Sequence, residues 1–458
     1  MPEGIRERNP LVCARRSKGS RVSAPSSRTE QALVLLVLAW LSLCTFRVIR
    51  AGWSFTTDDA YITLRYARHL AEGHGIVWNI GDPVPVEGYS NFLFVCVGAV
   101  AIRLGIDPVT VVKGVSCLTL VPTCGLLYLL ARIWLRPLAA TLPAILLLSH
   151  PGMAFWAVSG LETSVFQLLV VGATTAFIYG IEGTALARRR LHLLAAGLCF
   201  LAALTRPEGP IVAVVLVASA IVYASAEWAR ARRNRDDLAG YEALFALLET
   251  TFAFTVAFAV PYATYFGWRV VHFGRFLPNT VYCKSALSET GDPWTLVRDF
   301  WGEGKVFVAL ALFQDPRQLR ARSLPLLLLA PAYAAILYGA DPIIGQHSRH
   351  FLGALALLVV ASSMGLANLA AIAVLPIRLV ARAVRKGISS ANERPRTPIA
   401  WMLLDATLVL GCLAVHHRGE LWLVNDTPRA CAHDYADHVP DLEESRLAAR
   451  AGGGGDPF

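Results

Sequence analysis

Several long stretches of this chain contain no Asp, Glu, Lys or Arg, and such stretches have few ways to fold. Residues 31–46, 191–205, 209–226, 250–268 and 351–377 are all of this kind. A helix crossing a hydrocarbon core needs about 20 apolar residues, within a range of about 17 to 25. Backbone in lipid must satisfy its own hydrogen bonds, so these runs are read as helices. The shorter ones can cross where the bilayer thins or where flanking Arg side chains snorkel. Charged residues make up only 16% of the 458, against about 25% in soluble globular proteins, and the apolar runs account for the deficit. The chain is therefore expected to be an all-α integral membrane protein.

The formal net charge of +9 raises the possibility of a nucleic-acid partner. The Arg residues, however, sit in short clusters between apolar runs, as cytoplasmic loops do, and no nucleic acid is expected. None of the nine Cys shows CxxC or other metal-ligand spacing. Cys44, Cys96, Cys117, Cys124, Cys199 and Cys412 lie in apolar runs, where Cys behaves as a small hydrophobe. No P-loop, HExxH or strand-following GxGxxG is present.

Residues 1–30, rich in Arg, Ser and Pro, read as a disordered basic cytoplasmic leader, and residues 31–417 as a polytopic domain. Residues 418–458 read as a polar tail. With the N-terminus inside, residues 51–90 form a long outer loop. Every Arg-rich loop after residue 160 then falls inside. Residues 91–150 read as three segments broken near Arg103–Pro108 and Arg132–Pro137, one of them split or re-entrant. The total is about 11 to 13 spans.

This topology gathers Asp58, Asp59, Glu87, Glu162, Arg206, Glu208, Arg275, Asn279, Lys284, His347, Arg349 and His350 at one membrane face. Ionisable groups at such positions are costly and often mark function. Residues 56–68 contain adjacent carboxylates, Asp58 and Asp59, at the start of a short amphipathic helix. Ile62, Tyr66 and Leu70 recur at i, i+4 and i+8, a stripe suited to the membrane surface. Adjacent carboxylates repel unless a cation sits between them, so the pair can hold a divalent cation. An ordinary helix N-cap is the plainer reading of one Asp. Trp78 and Tyr89 suit interfacial anchors. Glu87 suits either a sugar contact or an ion pair with Arg65 or Arg68. Arg206, Arg275, Lys284, Arg349 and His350 are the cations suited to a phosphate.

The segments TDDAYITLRYAR (57–68), EGHGIVWN (72–79), VEGYSN (86–91), SGLET (159–163), LTRPEG (204–209), LPNTVYCK (277–284) and SRHF (348–351) together resemble bacterial GT-C fold glycosyltransferases, among them the mycobacterial terminal arabinofuranosyltransferase group. The resemblance implies a GT-C type multi-helix bundle in a bacterial inner membrane. It implies transfer of a sugar from a polyprenyl-phosphate donor to a glycan or lipid acceptor on the non-cytoplasmic side, with inversion. Carried over by motif, Asp58 is the base and Asp59 assists it or binds a cation. Glu87, Tyr89, Asn91, Glu162, Glu208 and Asn279 line the substrate site, and Arg206, Lys284, Arg349 and His350 face the donor. Relatives often end in a sizeable periplasmic domain, whereas the tail after the last helix here is short, so acceptor recognition by such a domain is not expected. A transporter or flippase of envelope lipids, and a non-catalytic membrane assembly subunit, are the alternatives.

Overall fold

The computed structural model describes residues 28–235, 237–279, 294–315, 321–338, 346–376 and 401–417. Among these the regular structure is entirely helical. The first two helices are α1 (Arg28–Gly52) and α2 (Asp58–Ala71), followed by α3 (Phe92–Arg103), α4 (Pro108–Leu118) and α5 (Leu120–Ala131). Next come α6 (Leu142–Leu148), α7 (Pro151–Val158), α8 (Thr163–Glu182), α9 (Ala185–Thr205) and α10 (Gly209–Arg233). The remainder are α11 (Asp237–Phe273), α12 (Thr295–Leu312), α13 (Leu324–Ile336), α14 (Leu352–Ala373) and α15 (Trp401–His417).

Among the described residues, six helical stretches are long and apolar enough to cross a membrane: Arg28–Gly52, Pro108–Ala131, Thr163–Ile181, Gly209–Arg233, Leu244–Phe273 and His347–Ala373. Ala139–Leu148 and Pro151–Val158 add a seventh if this pair, bent by 62°, is one broken span. The chain is a multi-pass membrane protein. Part of the difference from the expected 11 to 13 spans is that Phe92–Arg103, Leu324–Ile336 and Trp401–His417 are apolar but short. The breaks expected near Arg103 and Arg132 fall at the ends of α3 and α5. The α6–α7 pair has the form of a broken span or a re-entrant loop, and residues 151–158, read from the sequence as part of a loop, are helical.

Local sequence sets several boundaries. Asp107 caps α4 by accepting from the Thr110 N–H at 2.8 Å, with Pro108 in the first turn, where a missing N–H costs nothing. His150 caps α7 in the same manner, with Pro151 following. Arg230, Arg232 and Arg233 end α10, where cations complement the helix dipole. α8 lies at the centre, with 83% of its apolar window buried, and α14 has 61%. By contrast α1, with 28%, and the apolar part of α11, with 17%, are peripheral. Exposed Leu35, Leu36, Phe252 and Val260 on these two helices suit lipid contact.

The expected helix after Asp58 is present, but its stripe has another use. Tyr66 is fully buried, and Ile62, Tyr66 and Leu70 join Tyr89, Val95, Ala99 and Phe273 in a small core between α2, α3 and the end of α11. Protein rather than membrane surface covers this face, because α3 folds back against it.

Candidate active site

Three helix starts converge. Asp58 and Asp59 open α2, Glu162 is the N-cap of α8 and Glu208 the N-cap of α10. Carboxylates are favoured at helix N-termini by the dipole. The turn before α8 ties the first two starts together. Both the Thr57 N–H and its hydroxyl donate to the Ser159 carbonyl, at 3.0 and 3.2 Å. Gly160 has φ +84°, a conformation L side chains rarely adopt, and an added Cβ would meet Ala60 at 3.1 Å. Glycine thus lets α2 start directly against this turn.

A buried network follows. Arg206 Nη1 and Arg349 Nη2 each donate to Glu162 Oε1 at 3.0 Å. The other Glu162 oxygen accepts from Asn91 Nδ2 at 2.9 Å, and Asn91 Oδ1 accepts from the Thr63 hydroxyl at 2.9 Å. Arg206 also donates to both oxygens of Glu208, at 2.9 and 3.3 Å. His350 Nδ1 lies 2.9 Å from Arg206 Nη2 and 3.3 Å from Glu208 Oε1. The Arg349 guanidinium sits 4.9 Å from the Trp156 ring centroid, a cation–π distance. Asp59 and Thr63 are four residues apart and so share a face of α2. On that face the Asp59 charge attracts Arg349. Asp58, one position round the helix, is exposed, and its Oδ1 accepts the local Asp59 N–H.

The electrostatics match the geometry. Burial pushes the Glu162 carboxyl up, but Arg349 and Arg206 outweigh it and hold the group below its ordinary value. Burial likewise opposes Glu208 ionisation, and Arg206 and His350 override it. Arg206 is itself held above its ordinary value against burial by the two carboxylates. With Nε, Nη1 and Nη2 all engaged by Glu162 and Glu208, Arg206 is a strut of the network.

The other expected residues lie elsewhere. Glu87 pairs with neither Arg65 nor Arg68. Its carboxylate is 3% exposed and takes Arg269 Nε at 2.7 Å. Burial raises the Glu87 carboxyl above its ordinary value despite this partner. Arg65 instead bonds the Trp78 carbonyl and stacks on its ring, and Arg68 pairs with Glu72. Tyr89 is no interfacial anchor; it is packed against Tyr66 and Phe273 at 2% exposure. The Asn279 N–H donates to the Glu87 carbonyl. Glu87, Tyr89 and Asn279 thus fasten the first long loop to the end of α11. Lys284 lies outside the described residues.

Consecutive helix positions do not face each other, and with Asp59 on the Arg349 face and Asp58 exposed, the two carboxylates do not form a shared ligand set for a divalent cation. Among the described residues no group of three or more His, Cys, Asp or Glu is arranged to hold a metal ion.

Lys113 was not anticipated. It is the sole charged residue of α4 and α5, which was the available signal. Its ammonium, 3% exposed, bonds the carbonyls of Trp53 and Phe55 and the Thr56 hydroxyl, the residues immediately before Asp58. Lys113→Met strands these acceptors and is expected to cost about 2 kcal/mol, as for loss of a charged hydrogen bond. Thermal unfolding in detergent would show it as a lowered melting temperature, and an unchanged one would remove Lys113 from this role.

A helical membrane bundle with an acid–base network at clustered helix starts defines a class, and comparison with known proteins sharpens it. No family model matches the chain. The fold is that of the GT-C glycosyltransferases. ArnT from Cupriavidus metallidurans bound to undecaprenyl phosphate aligns with 90% of this chain and 81% of its own, at a TM-score of 0.53 and 16% identity. The archaeal oligosaccharyltransferase AglB from Archaeoglobus fulgidus, in complex with an inhibitory peptide and a dolichol-phosphate, aligns with 87% of this chain and 56% of its own, at 0.52 and 16%. In sequence, the terminal β-(1→2)-arabinofuranosyltransferase of Corynebacterium glutamicum is 27% identical over 312 residues, 63% of this chain. The match spans 42% of that relative's length.

Proposed function

We propose that this protein is a membrane glycosyltransferase that moves a sugar from a polyprenyl-phosphate donor to a glycan or lipid acceptor of the cell envelope. The observation that carries the proposal is the meeting of the α2, α8 and α10 starts around Glu162, Arg206 and Arg349 in a GT-C fold. The fold relatives were solved with undecaprenyl phosphate and dolichol-phosphate, and the sequence relative is named for arabinofuranosyl transfer.

Asp58, exposed at the start of α2, takes the proton from the acceptor hydroxyl. The hydroxyl oxygen then attacks the anomeric carbon from the face opposite the phosphate, and the configuration inverts. The bond to the phosphate oxygen breaks, and its electron pair leaves with the polyprenyl phosphate. Asp59 and Glu162 hold Arg349, which faces the growing charge of the leaving phosphate; a preorganised cation there needs no rearrangement during reaction. Asn91, Glu208 and His350 fix the network, while Glu87, Tyr89 and Asn279 hold the loop that covers the sugar. Placed by the charge bias of its loops, the N-terminus is cytoplasmic and the site faces outward from a bacterial inner membrane.

Incubation of membrane vesicles with a panel of labelled polyprenyl-phosphate sugars tests this. At least one pentose or hexose donor should release polyprenyl phosphate in step with label entering an acceptor. Turnover of no donor in vesicles containing folded protein would contradict the proposal.

A further inference from the structure

Arg349 and His350 follow two residues in an uncommon backbone conformation. His347 has φ 52° and ψ 40°, and Ser348 has φ 55° and ψ 35°. Both are left-handed, a region that costs free energy for any residue with a Cβ and persists only where the surroundings enforce it. Strain of this kind, directly before two members of the network, needs a physical source.

That source is α12, a helix outside the site described above. Glu303 Oε2 accepts from the Ser348 hydroxyl at 2.6 Å. Its other oxygen lies 3.4 Å from His347 Nδ1. One turn earlier on the same helix, Phe300 stacks on Phe351 with ring centroids 4.4 Å apart and planes at 12°. α12 therefore grips the turn on both sides of Arg349 and His350. α7 closes the opposite side. His150 Nε2 lies 3.3 Å from Glu303 Oε2, and the Phe155 ring centroid is 5.5 Å from that of His347. An added Cβ on Gly152 would come within 2.6 Å of the His347 carbonyl, so only glycine allows this approach.

We propose that Glu303 is a positioning residue: by holding Ser348 and His347 in the left-handed turn, it delivers the Arg349 guanidinium to Glu162 and to the donor phosphate. The inference rests on the reading above, in which Arg349 meets that phosphate. Glu303 touches neither Arg349 nor substrate. Its effect passes through the backbone of two residues, and this sets it apart from a phosphate ligand. Without the carboxylate the turn relaxes toward right-handed geometry and swings Arg349 away from Glu162.

The test is binding of undecaprenyl phosphate to the full-length protein in detergent micelles, read by native mass spectrometry alongside the melting temperature. Glu303→Leu and Ser348→Ala each break the contact from one side, and each should weaken binding by about tenfold, the scale of one strained residue. Adding Ser348→Gly to Glu303→Leu should restore most of that loss, since glycine holds a positive φ without help. A merely structural contact would show no such rescue. If Glu303→Leu does not accumulate, Ser348→Ala alone carries the comparison. Parental binding by either single variant, or no recovery with glycine, overturns the inference. Arg349→Ala separates the two levels. Weak binding by Arg349→Ala together with parental binding by Glu303→Leu defeats only the role of Glu303. Parental binding by Arg349→Ala defeats the assignment of Arg349, and this inference with it.

Discussion

Asp58→Asn is expected to lower sugar transfer by about 10²- to 10⁴-fold, the usual contribution of a positioned general base, with the melting temperature unchanged. The amide keeps the shape of the carboxylate, and its oxygen can still accept the Asp59 N–H, the local bond seen at 2.9 Å. It cannot take a proton from an acceptor hydroxyl at neutral pH. Asp58 is exposed and stands outside the buried network, so little stability depends on its charge. The measurement is label transfer against time in vesicles containing equal amounts of folded protein. Parental rates would remove Asp58 from the reaction. Asp59→Asn should behave differently, because Asp59 acts on Arg349: it should raise the donor concentration needed more than it slows turnover at saturation.

Glu162→Leu should show the second large effect, on stability. It leaves Arg349 buried without its closest carboxylate and removes one of the two that balance Arg206. Breaking a buried ion pair from one side costs about 3 to 5 kcal/mol, a large part of a typical stability of about 5 to 15 kcal/mol. The variant should accumulate poorly or melt well below the parent. The same network fixes a pH dependence. Glu162 and Glu208 are held below the ordinary value of 4.5, so their stabilisation is complete above about that pH. It is lost as pH falls through their lower folded values, because protonation then uncouples them from Arg206 and Arg349. Melting temperatures followed from pH 7 downward should fall for the parent, and the fall should be shallower in Glu162→Leu. Equal slopes would mean that other carboxylates govern acid unfolding.

The sequence is most informative where physics is local. Apolar runs mark α1, α10 and α14 because lipid-facing or buried backbone permits little else. The α2 boundary is legible because Asp58 and Asp59 begin an i, i+4 pattern. Much of the candidate site is legible as well, since Glu162, Arg206 and Glu208 are charges at the ends of apolar runs, the last two flanking Pro207. Pairing across long separations was not legible. Glu87 pairs with Arg269, 182 residues away, rather than with Arg65 or Arg68 nearby. Nothing in the sequence distinguishes those partners, because the choice depends on where α11 ends in space. The face of Ile62 and Tyr66 was misjudged for a similar reason: an apolar stripe shows that a face is covered but not by what. Lys113 is the reverse case, a lone charge in an apolar helix whose oddity alone pointed to a structural task. Glu303 carried no such mark, since its importance comes from the backbone of residues 347 and 348.

The most direct measurement is a structure determined with a non-hydrolysable polyprenyl-phosphate sugar analogue bound. The proposed site requires the phosphate within about 3 Å of the Arg349 guanidinium, at hydrogen-bond distance, and the anomeric carbon on the side of Asp58. A phosphate bound instead beside Arg269, or one that leaves Asp58 and Arg349 on opposite sides of the bundle, would contradict it.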